Sequence, residues 1–352
     1  MKRKIDLKKL LIFISIVIVL IIVVLLIVLK PKKTEKPKND NKKSAEKKPE
    51  VPKEKVDIIN VDSKTRPFAV VVNNTPVAVK VQEGLNKAYI VYELPTEGST
   101  SRLIALFKDV DEDLTIGTVR SVRHNFLDYA YESDAILVGY GYSHYAQDQL
   151  NGQHAIDYIN GMIHSQPFWR NNPEHLASEH TAYTSINKMK DFSYNNRKYS
   201  KDSDKTILLK YNVGDVDLSK MEGAKTANTV ILPYGNITTK FTYDAEKKIY
   251  TKNVNGNDAK DHKTGEVFDT KNIIVEKITY NQSGDGYYWD LHTTGSGDGY
   301  FITNGYAVPI KWSKSDRKAK TKYTYLDGKE IDVSDGRTYI EVQVTNKSTT
   351  IN

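Results

Sequence analysis

The stretch Phe68-Ala69-Val70-Val71-Val72-Asn73-Asn74 decides the fold of this chain. Its first five residues are apolar and three of them are valines, a composition typical of a strand buried inside a sheet. The two asparagines that follow predict the turn that ends the strand. We therefore expect the globular part of the chain to begin just before this strand, at residue 65.

Strands and helices alternate after this first strand. Apolar runs predict strands over residues 87–93, 102–107, 115–119 and 135–140. Helical spacing predicts a helix over residues 125–133, helix and loop over 143–163, and a short helix within 181–192. This alternation indicates an α+β protein whose N-terminal domain, residues 65–210, has mixed α/β character.

The second half of the chain has a different pattern. Short runs of alternating β-branched or aromatic and polar residues are separated by turn signals such as Asn255-Gly256, Asn304-Gly305 and Asp327-Gly328. Gly295-Ser296-Gly297-Asp298-Gly299 has the composition of another hairpin turn, and it lacks the residues that complete a nucleotide-binding loop. Residues 211–352 are therefore predicted to form a mostly antiparallel β domain.

A membrane segment precedes the globular part. Residues 10–29 are apolar except for Ser15, and a helix of 20 residues spans about 30 Å, the thickness of the hydrocarbon core of a bilayer. No small-residue cleavage pattern follows it, so we expect an uncleaved transmembrane signal anchor. Residues 1–9 would form a cytoplasmic tail, and the body would be extracytoplasmic, because long C-terminal domains translocate largely regardless of charge.

Charge and composition restrict the class of protein. Residues 30–64 are rich in Lys and Pro and predict a disordered linker. Residues 1–64 hold 17 basic and 8 acidic residues, which leaves 34 basic and 36 acidic residues in the rest of the chain. A nearly neutral body argues against nucleic-acid binding. The absence of cysteine excludes disulfides, a thiol nucleophile and a lipid anchor attached through cysteine.

Three arginines form the strongest candidate site. Arg102 opens a predicted strand, and Arg120 and Arg123 lie where a strand leads into a helix. Guanidinium groups beside free helix N–H groups favour an anion such as a phosphate or a carboxylate. The alternative is that the arginines brace the fold by pairing with acidic residues, namely Glu93, Glu97 and Asp128.

Other polar residues near predicted strand ends are candidates for binding or catalysis. Tyr142, Ser143 and His144 follow a predicted strand, but the spacing differs from that of the serine-nucleophile elbow, which favours binding or packing. His180 is a candidate acid or base, and Tyr183 lies beside it in the sequence. The histidine spacing matches no metal motif, so we expect neither a metal nor a cofactor.

The residues of the body resemble the YerB-like, or DUF3048, family of exported bacterial proteins. In the first half the resemblance rests on Arg66-Pro67, Val91-Tyr92-Glu93, Glu97-Gly98 with Thr100 and Arg102, Val119-Arg120-Ser121-Val122-Arg123, Phe126-Leu127-Asp128 and His180 with Tyr183-Thr184-Ser185. In the second half it rests on Asn272-Ile273-Ile274-Val275, Asn304-Gly305, Trp312-Ser313-Lys314, Asp327-Gly328-Lys329-Glu330-Ile331 and Gly336-Arg337-Thr338-Tyr339-Ile340.

The resemblance implies a two-domain extracytoplasmic protein and does not imply a reaction. The chain departs from the family pattern at Gly141-Tyr142-Ser143, where relatives tend to have Gly-Gly-Ser, and at Ser178-Glu179-His180-Thr181, where they tend to have Ala-Pro-His-Asn. Many relatives also resemble lipoproteins, whereas this chain has a predicted peptide anchor.

Three hypotheses for function follow from the sequence, and the third is a sensor or scaffold that binds no small ligand. In the first, the chain is a non-enzymatic protein of the cell envelope of a Gram-positive bacterium. Its arginines then bind an anionic wall polymer or an envelope protein that synthesises or remodels the wall. In the second, the chain is a hydrolase or transferase acting on peptidoglycan or an attached polymer. Its candidate catalytic residues are then Glu93, Glu97, Ser143 and His180.

Overall fold

The computed structural model describes residues 55–152, 155–205 and 207–352. They form mixed and antiparallel sheets with few and short helices, which confirms the predicted fold class in part, as a body made mainly of β-structure. The predicted tail, residues 1–9, the predicted anchor, residues 10–29, and most of the predicted linker, residues 30–64, lie outside the described residues. No helix in the described part of the chain has the length and hydrophobicity needed to cross a bilayer.

The strands are numbered in chain order. They are β1 Phe68–Asn74, β2 Ile90–Thr96, β3 Thr100–Phe107, β4 Thr115–Gly117, β5 Ile136–Gly139, β6 Tyr158–Asn160, β7 Phe168–Arg170, β8 Ala182–Ser185, β9 Lys210–Tyr211, β10 Lys225–Thr226, β11 Thr229–Pro233 and β12 Thr238–Asp244. They continue as β13 Ile249–Val254, β14 Asn257–Asp258, β15 Asp269–Thr270, β16 Asn272–Ile278, β17 Tyr280–Gln282, β18 Trp289–Leu291, β19 Gly295–Thr303, β20 Tyr306–Lys314, β21 Lys322–Tyr325, β22 Asp332–Val333, β23 Thr338–Val344 and β24 Thr350–Ile351.

The helices are short. The α-helices are α1 Phe126–Glu132, α2 His144–Asn151 and α3 Ile186–Asp191, and a π-helical turn at Phe192–Asn196 continues α3. Single turns of 3₁₀ helix occur at Val79–Val81, Leu85–Lys87, Glu97–Ser99 and Ser178–His180. The helix predicted over residues 125–133 is α1. The predicted short helix within 181–192 is divided between β8 and α3.

One large sheet organises the body. Its strands are ordered β10-β20-β19-β16-β23-β2-β3-β1-β5-β6, and β21 pairs with β20. The pairing of β2 with β23 is parallel and aligns Ile90 with Thr338. Strands from both sides of residue 210 are therefore neighbours in this sheet, and the described body forms one compact unit. The division into residues 65–210 and 211–352 stays a prediction.

A second, antiparallel sheet covers one face of the large sheet. Its strands are ordered β14-β13-β12-β11-β24, and β15 pairs with β13. Apolar side chains of this second sheet, such as Val230 and Phe241, share a core with Val91 and Leu103 of the large sheet. The opposite face of the large sheet packs against α1, which contributes Phe126 to the second core. The large sheet is thus buried on both faces, as the run of valines in β1 predicted.

In the described part of the chain, a Lys–Glu ion pair is buried on each face of the large sheet. Lys252 lies 2.8 Å from Glu93, and both side chains are almost completely buried. On the opposite face Lys314 pairs with Glu132, again with both side chains fully buried. A buried charge is tolerated only when it is paired and hydrogen-bonded, and Glu93 also accepts hydrogen bonds from Ser101 and Thr239.

The glycine-rich segment from Gly295 to Gly299 is not the predicted hairpin turn. It is the first half of β19, a strand of nine residues. A Cβ atom on Gly299 would lie 2.2 Å from the carbonyl oxygen of Val275, and one on Gly297 would lie 2.5 Å from the indole nitrogen of Trp312. The glycines therefore allow β19 to approach its neighbours closely, rather than allowing the chain to turn.

Candidate functional site

The backbone after β4 places two of the three candidate arginines. The N–H of Asn73 donates to Thr118 O and the N–H of Arg120 donates to Val71 O, so this segment is bonded to the end of β1. Arg123 lies three residues before Phe126, the first residue of α1. Arg102 is paired with Asn73 in the register of β3 and β1. The three arginines therefore lie close together, near the end of β1 and the adjoining start of β3.

Glu97 joins Arg102 and Arg123. Its carboxylate accepts from Nε of Arg123 at 2.9 Å on both oxygens, and from Nη2 of Arg102 at 3.3 Å. Arg123 Nη2 donates to the same carboxylate. The three side chains are largely buried. Of the three acidic partners expected for the arginines, only Glu97 pairs with Arg102 and Arg123 in the described part of the chain, whereas Glu93 pairs with Lys252 and Asp128 with Arg317. The Arg123 guanidinium also lies over the ring of Tyr288, at 5.2 Å.

The charges of this group depend on one another. Burial opposes ionisation of Glu97, but hydrogen bonding to Arg123 and attraction by Arg102 outweigh it and lower the pKa of Glu97. Burial, and to a smaller extent repulsion from Arg123, lowers the pKa of Arg102. Arg120 and Arg123 repel each other in the same way. The three arginines with Glu97 and Glu179 therefore form a coupled cluster, called the arginine cluster below, that carries net positive charge.

Arg120 differs from the other two arginines because its counter-ion is exposed. Its Nη2 donates to Oε1 of Glu179 at 3.0 Å, and the side chain of Glu179 is 52% exposed. Nε of Arg120 is buried and has no hydrogen-bond partner among the described residues. An exposed carboxylate is easily displaced because an exposed ion pair is worth about 1 kcal/mol or less. Arg120 is thus the arginine that an anion from solution reaches most readily.

His180 lies beside Arg120 and is held in place. Asn73 Nδ2 lies 2.7 Å from His180 Nδ1, and because an amide nitrogen can only donate, Nδ1 is the acceptor and Nε2 carries the proton. Nε2 lies 3.5 Å from Glu179. Burial lowers the pKa of His180, although Glu179 opposes this shift. His180 is therefore placed as a neutral hydrogen-bond donor next to the exposed counter-ion of Arg120.

The other predicted site residues have different positions. Tyr142 forms a β-bridge with Val122, which lies next to Arg123 in the chain. His144 is exposed and packs against the ring of Tyr288, and the same ring lies against the Arg123 guanidinium. Both therefore lie near the arginine cluster. The ring of Tyr183 is buried, and its hydroxyl donates to Val81 O at 2.8 Å.

Two candidate catalytic residues have structural contacts. Ser143 caps α2, because its buried hydroxyl oxygen accepts the N–H of Ala146 at 3.2 Å. Glu93 lies in the core and is bonded to Lys252. Among the described residues, no group of three or more histidines, aspartates and glutamates is arranged to hold a metal ion.

Sequence reasoning missed three residues of this site, namely Asn73, Glu179 and Tyr288. Asn73, which orients His180, was interpreted only as the end of a strand. Tyr288, which covers Arg123, lies 165 residues further along the chain, in the part predicted only as a mostly antiparallel β domain. A polar residue at the end of a buried strand was a usable signal for Asn73, because strand ends frequently carry site residues. No local signal pointed to Tyr288.

Comparison with known families gives matches to both halves of the chain. Residues 57–200 match the model of the N-terminal domain of proteins of unknown function DUF3048, and residues 229–340 match the model of the DUF3048 C-terminal domain. The N-terminal model covers the three candidate arginines, Glu97 and His180.

Individual relatives agree with these matches. The chain is 30% identical over 285 residues to a protein of Bacillus subtilis named "Putative lipoprotein YerB", an alignment that covers 79% of this chain and 81% of the relative. It is also similar to a solved structure, the crystal structure of YerB protein from Bacillus subtilis. That comparison has a TM-score of 0.69 and 27% sequence identity, and it covers 81% of this chain and 94% of the solved one.

Proposed function

Because the chain belongs to the DUF3048 family, whose members are proteins of unknown function, we propose its function from its own site. The proposal is that the chain is a membrane-anchored protein of the bacterial cell envelope whose body binds an anionic envelope component at the arginine cluster. The component is an anionic wall polymer or a partner protein that presents a carboxylate or a phosphate. Residues 10–29 would anchor the chain and the body would be extracytoplasmic.

The state of Arg120 is the observation that carries the proposal. Arg102 and Arg123 share one buried carboxylate, that of Glu97, but Arg120 is paired with the exposed Glu179 and keeps a buried Nε without a partner among the described residues. A phosphate or carboxylate that replaces Glu179 can form two parallel bonds with a guanidinium group. The buried Glu97 pairs hold the neighbouring arginines still, so the ligand does not have to order them.

The envelope location is supported by the sequence and by the relative. The apolar run at residues 10–29 has the length of a membrane span, and the relative from Bacillus subtilis is named as a lipoprotein. A lipid anchor is attached through cysteine, which this chain lacks. The proposal is therefore that a peptide anchor serves here in place of a lipid.

The enzymatic hypothesis has less support. Ser143 caps a helix, Glu93 lies in the core, and the pKa of Glu97 is lowered by its arginines, which makes Glu97 a poor general acid or base near neutral pH. His180 lies beside Arg120, and the described residues place no serine or threonine hydroxyl in hydrogen-bond contact with its ring.

A retention experiment tests the proposal. The full chain in detergent is applied to purified cell walls that carry their anionic polymers and to walls stripped of them. We expect retention on the first only, and a loss of at least about tenfold for Arg120→Gln. Arg197→Gln, at an exposed arginine outside the cluster, is the matched control and should be retained normally. Equal retention of Arg120→Gln, or a change in the mass of wall fragments, would contradict the proposed binding role.

A further inference from the structure

Polar side chains join the second sheet to the large sheet inside a core that is mainly apolar. Lys252 of β13 donates to Oε2 of Glu93 in β2 at 2.8 Å, and Thr239 of β12 donates to the same carboxylate at 2.9 Å. Tyr234, which follows β11, donates to Oε2 of Glu341 in β23 at 2.8 Å. These five residues link the two sheets and are called the polar junction below.

The two carboxyl groups of the polar junction lie side by side. Glu93 and Glu341 are partners in the parallel register of β2 and β23, and adjacent strands of a sheet lie about 4.8 Å apart. Both side chains are fully buried. Among the described residues, the charges that act on Glu341 are those of Glu93 and Lys252. Two ionised carboxylates would therefore share one ammonium group in a core closed to solvent.

Hydrogen bonding distinguishes these two carboxyl groups. Four donors bond to Glu93, namely Lys252, Thr239, Ser101 and Asn74. Glu341 contacts the hydroxyl of Tyr234, and its Oε1 is buried and has no partner among the described residues. Hydrogen bonds to a carboxylate favour its charged form, whereas burial favours the neutral form. The geometry therefore favours a charged Glu93 and a neutral Glu341.

Electrostatics agree with this assignment. Burial, and next repulsion from Glu93, raises the pKa of Glu341 well above its ordinary value, although Lys252 opposes the shift. Burial opposes the charge of Lys252, but attraction by Glu93 outweighs it and raises the pKa of Lys252. The stability that protonated Glu341 gives to the fold is therefore complete below about pH 4, where an unfolded glutamate titrates, and is lost as the pH rises through the raised pKa.

The other groups that face the two carboxyl groups do not change charge near neutral pH. Burial raises the pKa values of Tyr234 and Tyr339, so both hydroxyl groups stay neutral. Arg337 acts on Tyr339 and is bonded to Asp269. Loss of the Glu341 proton is therefore not compensated by its neighbours, and a buried charge without a counter-ion is costly.

The opposite face of the large sheet repeats this arrangement. There Glu132 accepts from Lys314 and, at 2.7 Å, from Thr321. Glu276 contacts the hydroxyl of Tyr323 at 3.4 Å, and its Oε1 is buried with no partner in the described part of the chain. Each face therefore holds one lysine for two carboxyl groups, and on each face the carboxyl group with few donors is left without a counter-ion.

We propose that the polar junction is a proton-operated contact between the two sheets. It is closed while Glu341 carries a proton, because Tyr234 then bonds to Glu341 across the sheets and the charges of Glu93 and Lys252 balance. When the proton is lost, the second carboxylate requires solvation, and the second sheet separates from the large sheet to admit water. This contact lies in the core and does not depend on an anion at the arginine cluster.

Infrared spectroscopy of the full chain in detergent tests the protonation of Glu341. At pH 7, Glu341→Gln should remove the carbonyl band of a protonated carboxyl group. Glu222→Gln, at an exposed glutamate, is the matched control and should remove a carboxylate band instead. Loss of a carboxylate band in Glu341→Gln would overturn the proposal. Failure of Glu341→Gln to fold at pH 7 would overturn it as well, because a neutral amide then replaces a neutral carboxyl group of the same shape.

Pulsed hydrogen exchange tests the separation of the sheets. Every protein compared carries Glu276→Gln, so that the neutral carboxyl group on the opposite face does not titrate. From pH 7 to pH 10, after correction for the intrinsic exchange rate, exchange in β12 and β13 should rise at least about tenfold, the change expected for one pH unit beyond a pKa. Adding Glu341→Gln should abolish this rise, and adding Glu222→Gln should not.

Two results of the exchange experiment would overturn the proposal. One is the absence of a rise by pH 10 in the protein that keeps Glu341, and the other is a rise of the same size after Glu341→Gln. Neither result bears on the proposed function, because no anion is present in the experiment.

Discussion

Nε of Arg123 lies 2.9 Å from both carboxylate oxygens of Glu97, and Glu97 is itself buried. The same carboxylate accepts from Arg102, so a single acidic side chain holds two of the three arginines in a fixed arrangement. Arg120 is paired with an exposed carboxylate, so it is the member of the cluster whose partner can be exchanged. The buried pairs therefore make Arg102 and Arg123 the bracing arginines, and our proposal places the ligand at Arg120.

Replacing Glu97 should destabilise the fold far more than replacing Glu179. Glu97→Gln leaves two largely buried guanidinium groups without a counter-ion, which costs about 3–5 kcal/mol when a buried pair is broken. Glu179→Gln breaks an exposed pair and should cost about 1 kcal/mol or less. Urea denaturation of the two variants measures the difference in the free energy of unfolding. Similar losses in both variants would show that Glu97 is not the brace.

Adding one methyl group at Gly299 should be costly. Gly299→Ala places a Cβ atom 2.2 Å from Val275 O, which forces β19 away from β16 and should destabilise the body by at least about 2 kcal/mol. Gly284→Ala is the matched control, because its nearest contact is the Tyr145 hydroxyl oxygen at 3.5 Å and its change in the free energy of unfolding should be within about 0.5 kcal/mol. Equal denaturation midpoints for the two variants would contradict the close approach of these strands.

The buried Glu276 should make the fold less stable as the pH rises. Burial, followed by repulsion from Glu132, raises the pKa of Glu276 to about 8, whereas a glutamate in an unfolded chain titrates near 4.3. Folding therefore favours the protonated form of Glu276. The stability that this form gives to the fold is complete below about pH 4 and is lost as the pH rises through about 8. Glu276→Gln keeps a neutral side chain at every pH.

Denaturation of both proteins from pH 5 to pH 9 checks this expectation. One unit of pKa shift corresponds to about 1.4 kcal/mol. The free energy of unfolding of Glu276→Gln, relative to that of the native chain, should therefore rise by more than about 1.4 kcal/mol from pH 5 to pH 9. Parallel curves for the two proteins would mean that Glu276 is ionised in the folded state across this range.

Ser143 should matter for stability and not for ligand binding. Ser143→Ala removes the cap of α2, which costs about 1 kcal/mol on average. Retention on cell walls should be unchanged, because the hydroxyl is buried and already bonded to the helix. A complete loss of a wall-modifying activity in Ser143→Ala, with a normal fold, would favour the enzymatic hypothesis instead.

Local patterns predicted the parts of the fold that depend on neighbouring residues. The apolar run of β1 and the helical spacing of α1 are properties of short segments, and both elements occur where they were expected. The pairing of Ile90 with Thr338 depends on strands far apart in the chain, and no short segment specifies it. Gly299 shows a second limit, since glycine serves turns and close strand contacts equally well and the sequence does not distinguish them.

The sequence predicted most of the residues in the candidate site, but not which acidic residue pairs with which arginine. The three arginines and Glu97 are candidates from the sequence alone, because they lie at the ends of predicted strands. The partner of Arg120 is Glu179, which is 59 residues away and reaches it through the turn that contains His180. Burial of the counter-ion decides whether an arginine stabilises the fold or can bind a ligand. Burial is a property of the folded chain, so the sequence does not show it.

Calorimetric titration of inorganic phosphate into the full chain and two variants tests the central claim most directly. If an anion displaces Glu179 from Arg120, Glu179→Gln should bind phosphate several-fold more tightly than the native chain, because the competing carboxylate is gone, and Arg120→Gln should not bind it measurably. If phosphate binds all three proteins with the same affinity, or binds none of them, Arg120 is not the anion site.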